Sequence, residues 1–139
     1  MSSIDLNTID STIRKDLGDS TTLELLASEI EFLQKIPEAT QLKRLGVAYW
    51  QFERYGYYDP KTLIKGSYRD YADRGIKKVK EILSKFCDTQ IGDLEIFLTL
   101  DIIITTLTKS GLDIRIAVLV GVYILHNFKG TLREWLCDS

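Results

Sequence analysis

Apolar residues recur at three- and four-residue steps through most of this chain, the spacing that gathers them on one face of an α-helix. Leu23, Leu26, Ile30 and Leu33 make the first clear stripe, which runs toward Pro37. Proline cannot continue a helix, because its ring clashes with the preceding turn and it has no N–H. Ahead of the stripe, Thr21 to Glu24 has the form of a capping box, in which hydroxyl and carboxylate satisfy orphaned backbone N–H groups. The pattern predicts a helix over 22–35. Beyond Pro37, Leu42, Leu45, Tyr49 and Phe52 repeat the step, and Gly56 is placed to close that helix in the left-handed conformation. Asp59-Pro60 then reads as an N-cap followed by proline at the first helical position. Gly66-Ser67 interrupts this short element, and Ser67 with Asp70 makes another capping-box-like start. Ile76, Val79, Leu83 and Phe86 continue as an apolar stripe opposite Lys77, Lys80 and Lys85.

The two ends of the chain are less regular. Ile9, Ile13 and Leu17 sit at helical spacing before Gly18, so residues 1–19 are expected to carry a short helix on a loosely attached segment. At the other end, Leu94, Ile96, Leu98, Leu100, Ile102 and Ile104 alternate as a strand would, and Ile114 to Ile124 repeats that alternation. Ile96, Leu100, Ile103 and Leu107 equally make a helical face, and both segments are long for strands. Lys109-Ser110-Gly111 supplies a basic last turn and a glycine stop, while Asp113 can cap the following helix. A buried helical hairpin is therefore expected over 94–125, with a short terminal helix carrying Leu132, Trp135 and Leu136. The fold class is all-α: one compact bundle of five or six helices spanning 1–139. The alternative is an α+β fold with a C-terminal β-hairpin.

Composition adds bounds to this picture. A chain of 139 residues with 45% hydrophobic residues suits a single domain with one core. Its net charge of −2 hides an asymmetry. Residues 1–60 carry ten acids and six bases, 61–87 three acids and eight bases, and 88–139 seven acids and four bases, giving −4, +5 and −3. The longest uncharged run, 116–128, falls short of the roughly 20 residues that a spanning helix needs, so no membrane partner is expected. Cys87 and Cys137 stand alone, and no basic segment followed by an apolar stretch opens the chain. Two reduced thiols in a cytoplasmic protein are the expectation.

Catalytic chemistry finds no support in these residues. Phosphate-cradling glycine loops, the Gly-x-Ser-x-Gly elbow and His-Glu-x-x-His are all missing. The single histidine, His126, falls where a buried helix ends, which suits a contact with the negative end of the helix dipole. Zinc needs more ligands than one histidine and two distant cysteines supply, and no cofactor is called for. Most acids sit at helix starts, where the dipole favours them. Asp101 is the exception, an acid within an apolar stretch that needs Lys109, Arg115 or a backbone donor as its partner.

The aromatic residues carry the functional expectation. Eight of the fourteen, from Tyr49 through Trp50, Phe52, Tyr55, Tyr57, Tyr58 and Tyr68 to Tyr71, lie within twenty-three positions. Tyr49 and Phe52 belong to the core stripe, whereas Trp50 is one step off it, and the loop that carries Tyr57 and Tyr58 either packs onto the bundle or forms a contact surface. Large aromatics with arginine are the residues most enriched at binding hot spots. The chain is accordingly expected to be a non-enzymatic interaction module or small subunit of a larger assembly. It would bind a protein partner, or a second copy of itself, through Trp50, Arg54, Tyr55, Tyr57, Tyr58 and Tyr68. The rival is a nucleic-acid-binding subunit, in which aromatics stack bases while Lys65, Arg69, Arg74, Lys77, Lys78 and Lys80 meet phosphates.

Overall fold

A computed structural model describes residues 4–62, 68–88 and 93–137. The chain is all-α, and no strand occurs among the described residues. After a 3₁₀ turn at Leu6–Thr8 come α1 (Ser11–Lys15), α2 (Ser20–Leu33), α3 (Glu38–Tyr55) and α4 (Arg69–Leu83). A second 3₁₀ turn, Ser84–Cys87, precedes α5 (Leu94–Phe97), α6 (Leu100–Lys109), α7 (Ile114–Phe128) and α8 (Leu132–Cys137). The eight α-helices among the described residues outnumber the expected five or six, in part because the 94–109 stretch divides into α5 and α6.

The apolar C-terminal segments form the expected helical hairpin. Thr99 starts α6 by accepting a hydrogen bond from the Ile102 N–H (3.3 Å). Gly111, at φ +99°, stops the hairpin's first arm, and Asp113 caps α7 by accepting from the N–H groups of Arg115 and Ile116. The strand alternative fails on burial: Ile103 and Ile104 are both buried, though successive strand residues would face opposite ways. Residues 116–124 are buried without a break. Such a helix is stable only where neighbours surround it, and α7 indeed packs against α2, α3, α6 and α8. Leu100 and Ile103 crowd Gly121, where an added Cβ would come within 2.6 Å of the Leu100 methyl.

Local chemistry moved one predicted boundary. The cap of α2 is Asp19, whose carboxylate accepts from the Thr22 N–H (2.8 Å), so the Thr21–Glu24 box is not used and the helix begins two residues early. That N–H holds the Asp19 carboxyl at about 2, well below the ordinary carboxylate value. Pro37 and Gly56 bound α3 as the pattern predicts, with Gly56 at φ +85°. Asp59 makes a single turn but no helix through Thr62. The expected cap at Ser67 and the break at Gly66 lie outside the described residues.

The N-terminal segment is not loosely attached. Ile9 and Leu17 are only 2% and 0% exposed. The Gln34 amide pairs with the Ile4 backbone in both directions, at 2.8 and 2.7 Å, and Asp101 accepts from the Asp10 N–H. That last bond gives the acid in the apolar stretch its backbone donor.

Cys87 and Cys137 are joined in a disulfide, which corrects the expectation of two reduced thiols. The 3₁₀ turn after α4 packs against α8, bringing two Cα atoms fifty residues apart in sequence to 5.7 Å. Lys80 over the Trp135 ring (4.7 Å) and the Phe128–Trp135 stack (4.6 Å) hold α8 at the same place. Its N-terminus is closed by Glu95, which accepts from the N–H groups of Gly130 and Leu132, both at 2.8 Å. No helix among the described residues is long and apolar enough to cross a membrane.

Candidate partner-binding surface

Contacts advance in the same sense along α3 and α4. Gly46 lies beneath the backbone of Tyr68, the Tyr49 ring lies on Gly75, and Glu53 bonds Arg74. The stripe Leu42, Leu45 and Tyr49 turns inward, as does Ala72, Val79 and Leu83. Trp50, one residue past Tyr49, is thereby placed at the margin of the contact, half-buried and half-wet.

At that margin the rings form a continuous array. The Tyr55 ring stands edge-on to Trp50 (6.0 Å), Trp50 stacks on Tyr68 (5.2 Å, 20° between planes), and Tyr68 meets Tyr71 edge-on (5.9 Å). These offset and edge-to-face arrangements are the ones that ring quadrupoles favour. Arginines flank the array: Arg54 approaches the interior Trp50 ring at 5.6 Å, and Arg74 lies over Tyr71, at one end, at 4.5 Å. Tyr55 is 58% exposed, so the outer end is open to a partner. The array is thus partly buried and flanked by cations.

Not every residue expected on this surface is there. Tyr57 is 54% exposed in the loop beyond Gly56 and stacks on none of the array's rings. Tyr58 is a core residue, only 8% exposed. Two side chains of the hairpin draw it in: Asp113 accepts from the Tyr58 N–H (3.3 Å), and Arg115 donates to the Tyr58 carbonyl (3.3 Å). Burial pushes the Tyr58 hydroxyl well above its ordinary pKa. Arg115 also donates to the Leu17 carbonyl (2.6 Å), pinning the N-terminal segment and the aromatic loop to the start of α7. An Arg115→Ala variant is therefore expected to lose about 2–3 kcal/mol, since two carbonyls forfeit charged donors. Urea titration would measure it, and a loss under roughly 0.5 kcal/mol would show that the loop is held by apolar packing alone. Sequence reasoning missed Arg115 and Asp113 as loop anchors, because their partners lie more than fifty residues away.

The basic segment does not form a uniform stripe. Arg69 pairs with Asp73 (2.9 Å), Arg74 pairs with Glu53 (3.1 Å), and Lys80 is committed to Trp135. Exposed Lys77 and Lys78 share α4 with exposed Asp70, Asp73 and Glu81. Lys65 lies outside the described residues. Acids interleaved with bases lower the potential that phosphates would meet.

His126 is exposed at the end of α7, on an open groove of about 900 Å³ shared with Glu95 and Lys129. The Glu95 carboxylate there is occupied by the backbone N–H groups of Gly130 and Leu132. Among the described residues, no three His, Cys, Asp or Glu side chains stand where they could hold a metal ion. No protein-family model matches this chain, and neither does any curated protein or solved structure.

Proposed function

We propose that this protein is a non-enzymatic helical interaction module, and that the Tyr55–Trp50–Tyr68–Tyr71 array with Arg54 is its docking surface. The observation that carries this reading is the order of the array before any partner arrives. Rings already stacked and flanked by guanidinium groups lose little side-chain entropy on association, and they bring area that water prefers to release. Tyr57 extends the surface, while Tyr58 serves it from inside by anchoring the loop. A protein partner suits this surface better than nucleic acid, because most of the neighbouring cations are already engaged by acids or rings.

The disulfide bears on where the protein works. Cytosolic glutathione and thioredoxin keep most such bonds open, so the Cys87–Cys137 disulfide supports work outside a reducing compartment rather than in the cytoplasm.

Substitution tests the surface. A Tyr55→Ala/Tyr57→Ala double variant removes two exposed rings without touching the core. Chemical cross-linking in the native host, after nuclease treatment, would identify partners of the wild type. The double variant should bind the principal partner at least tenfold more weakly, about 1.4 kcal/mol, with its far-UV helical signal unchanged. Unchanged affinity sinks this surface. Partners that vanish on nuclease treatment, with binding that falls steeply in salt, would instead establish the nucleic-acid reading.

A further inference from the structure

The outer face of α3 carries a stripe set apart from the side that packs on the bundle. Lys43, Val47, Trp50 and Arg54 follow one another at four-, three- and four-residue steps, which aligns them along one side of the helix. Leu45, Ala48 and Tyr49, on its other sides, are buried in the core. Val47 and Trp50 are half-buried, whereas Lys43 and Arg54 are exposed. The stripe is thus apolar in its middle and cationic at both ends. Tyr68, stacked on Trp50, and Tyr55, edge-on to it, widen the middle into the aromatic array.

Charge distinguishes these two cations from their neighbours. Arg44 pairs with Glu29, Arg69 with Asp73 and Arg74 with Glu53. Among the described residues, no acid stands within ion-pair distance of Lys43 or Arg54. The two acids of α3 serve elsewhere, since Glu53 holds Arg74 and Glu38 accepts from the Tyr123 hydroxyl (3.0 Å). Arg54 does lie over the Trp50 ring, at 5.6 Å, but a ring face attracts a cation without cancelling its charge. The stripe therefore keeps a charge of +2, divided between two points eleven residues, or roughly 16 Å, apart along the axis.

A partner that fits must bring two negative charges at that separation, with apolar side chains between them. A helix laid nearly parallel to α3 does so with an acid, apolar residues four and seven positions on, and a second acid eleven positions on. That is the α3 stripe with its charges reversed. An extended segment would find no sheet edge to pair its backbone with, because a helix bonds its own N–H and C=O groups internally. Nucleic acid fits less well, since two distant cations with an apolar stretch between them do not track a backbone charged at every nucleotide.

We infer that the partner of the aromatic array is an acidic amphipathic helix, which seats its apolar face on Val47, Trp50 and Tyr68 while a carboxylate toward each end pairs with Lys43 and Arg54. The inference rests on the reading of the array as a docking surface and adds the chemistry of what docks. Because both ends of the stripe carry the same sign, it accommodates the partner helix in either direction.

Three alanine-based peptides of about sixteen residues, long enough to populate a helix, provide the test. Each has Leu at its sixth and ninth positions, and the three differ in carrying Glu, Gln or Lys at the second and thirteenth. Calorimetry and ¹H–¹⁵N shifts of the whole protein give the readout. The Glu peptide should saturate at or below roughly 1 mM, with the largest shifts at Val47, Tyr68 and the Trp50 indole. The Gln peptide should bind roughly three- to tenfold more weakly, the effect of losing two exposed ion pairs, and the Lys peptide more weakly still. Lys43→Gln, which touches no ring, should weaken the Glu peptide about two- to threefold and leave the Gln peptide unchanged. Lys43→Glu/Arg54→Glu should reverse the order, so that the Lys peptide binds best, with the far-UV helical signal unchanged. If that double variant fails to fold, the Lys43→Gln comparison decides.

Equal binding of the Glu and Gln peptides would overturn the acidic partner, as would shifts that miss the stripe or an absence of saturation at 1 mM. A single-stranded oligothymidylate that binds the same stripe more tightly than the Glu peptide would overturn it in favour of phosphates. The docking surface itself survives the first three of these results, because that reading falls only if Tyr55→Ala/Tyr57→Ala leaves the native partner's affinity unchanged.

Discussion

Opening the Cys87–Cys137 disulfide is expected to lower the thermal midpoint by roughly 10–20 °C, the largest effect of any single change considered. The bond closes a loop of fifty residues that contains α5, α6 and α7. Cross-linking restricts the unfolded chain, and for a loop of this size chain-entropy arguments give about 4 kcal/mol. In a domain of this length each kilocalorie moves the midpoint by about 3–5 °C. The geometry adds a local consequence. The six-residue α8 is too short to be helical on its own, so once untethered it depends on Leu132, Leu136, the Phe128–Trp135 stack and the Glu95 cap. Melting with and without reductant, beside a Cys87→Ser/Cys137→Ser variant, checks the prediction. Trp135 fluorescence should shift to the red in the reduced form, as the ring loses Phe128 and Lys80. Two thiols titrating freely in the native protein, with no change in midpoint on reduction, would remove the tether from this account.

Gly46→Ala should destabilise the protein by about 2 kcal/mol or more and disperse the aromatic array. An alanine in the middle of an ordinary helix stabilises it by about 1 kcal/mol relative to glycine. Here the sign should reverse. A Cβ on Gly46 would sit 2.0 Å from the carbonyl oxygen of Tyr68, and that oxygen belongs to backbone that cannot swing aside. The first turn of α4 would have to lift from α3, taking Tyr68 off Trp50 and Tyr71 with it. Overpacking of this kind usually costs 1–3 kcal/mol or more. Denaturant titration gives the energy, and the near-UV circular dichroism of the stacked rings gives the structural readout. A stabilised Gly46→Ala protein with an intact near-UV signal would mean that the helices stand further apart. Loss of partner binding in this variant, beside its loss in Tyr55→Ala/Tyr57→Ala, would separate assembly of the array from contact by it.

Some of this molecule was legible from local chemistry. The three- and four-residue spacing of Leu26, Ile30 and Leu33, and of Leu42, Leu45 and Tyr49, identified inward faces, because helix geometry is set within one or two turns. Gly56, Gly111 and Asp113 marked ends and starts through conformational and hydrogen-bonding properties that belong to single residues. Where two local signals competed, the sequence was less decisive. Asp19 and Thr21 both offered caps, and the carboxylate, which is the acceptor that a dipole's positive end favours, took the N–H of Thr22. The aromatic cluster showed that side of ambiguity most clearly: composition located it, but Tyr55, Tyr57 and Tyr58 carry no periodic signal that separates wet rings from dry ones.

The sequence by itself determined the helical class, the faces of the long helices and the neighbourhood of the candidate surface. Only the tertiary structure decided that Tyr58 is buried, that the N-terminal segment is integral, and that Cys87 meets Cys137. Each of these depends on partners between about twenty and a hundred residues away. Periodicity and capping report forces that act over one or two turns, whereas such meetings are set by how whole helices pack around α7.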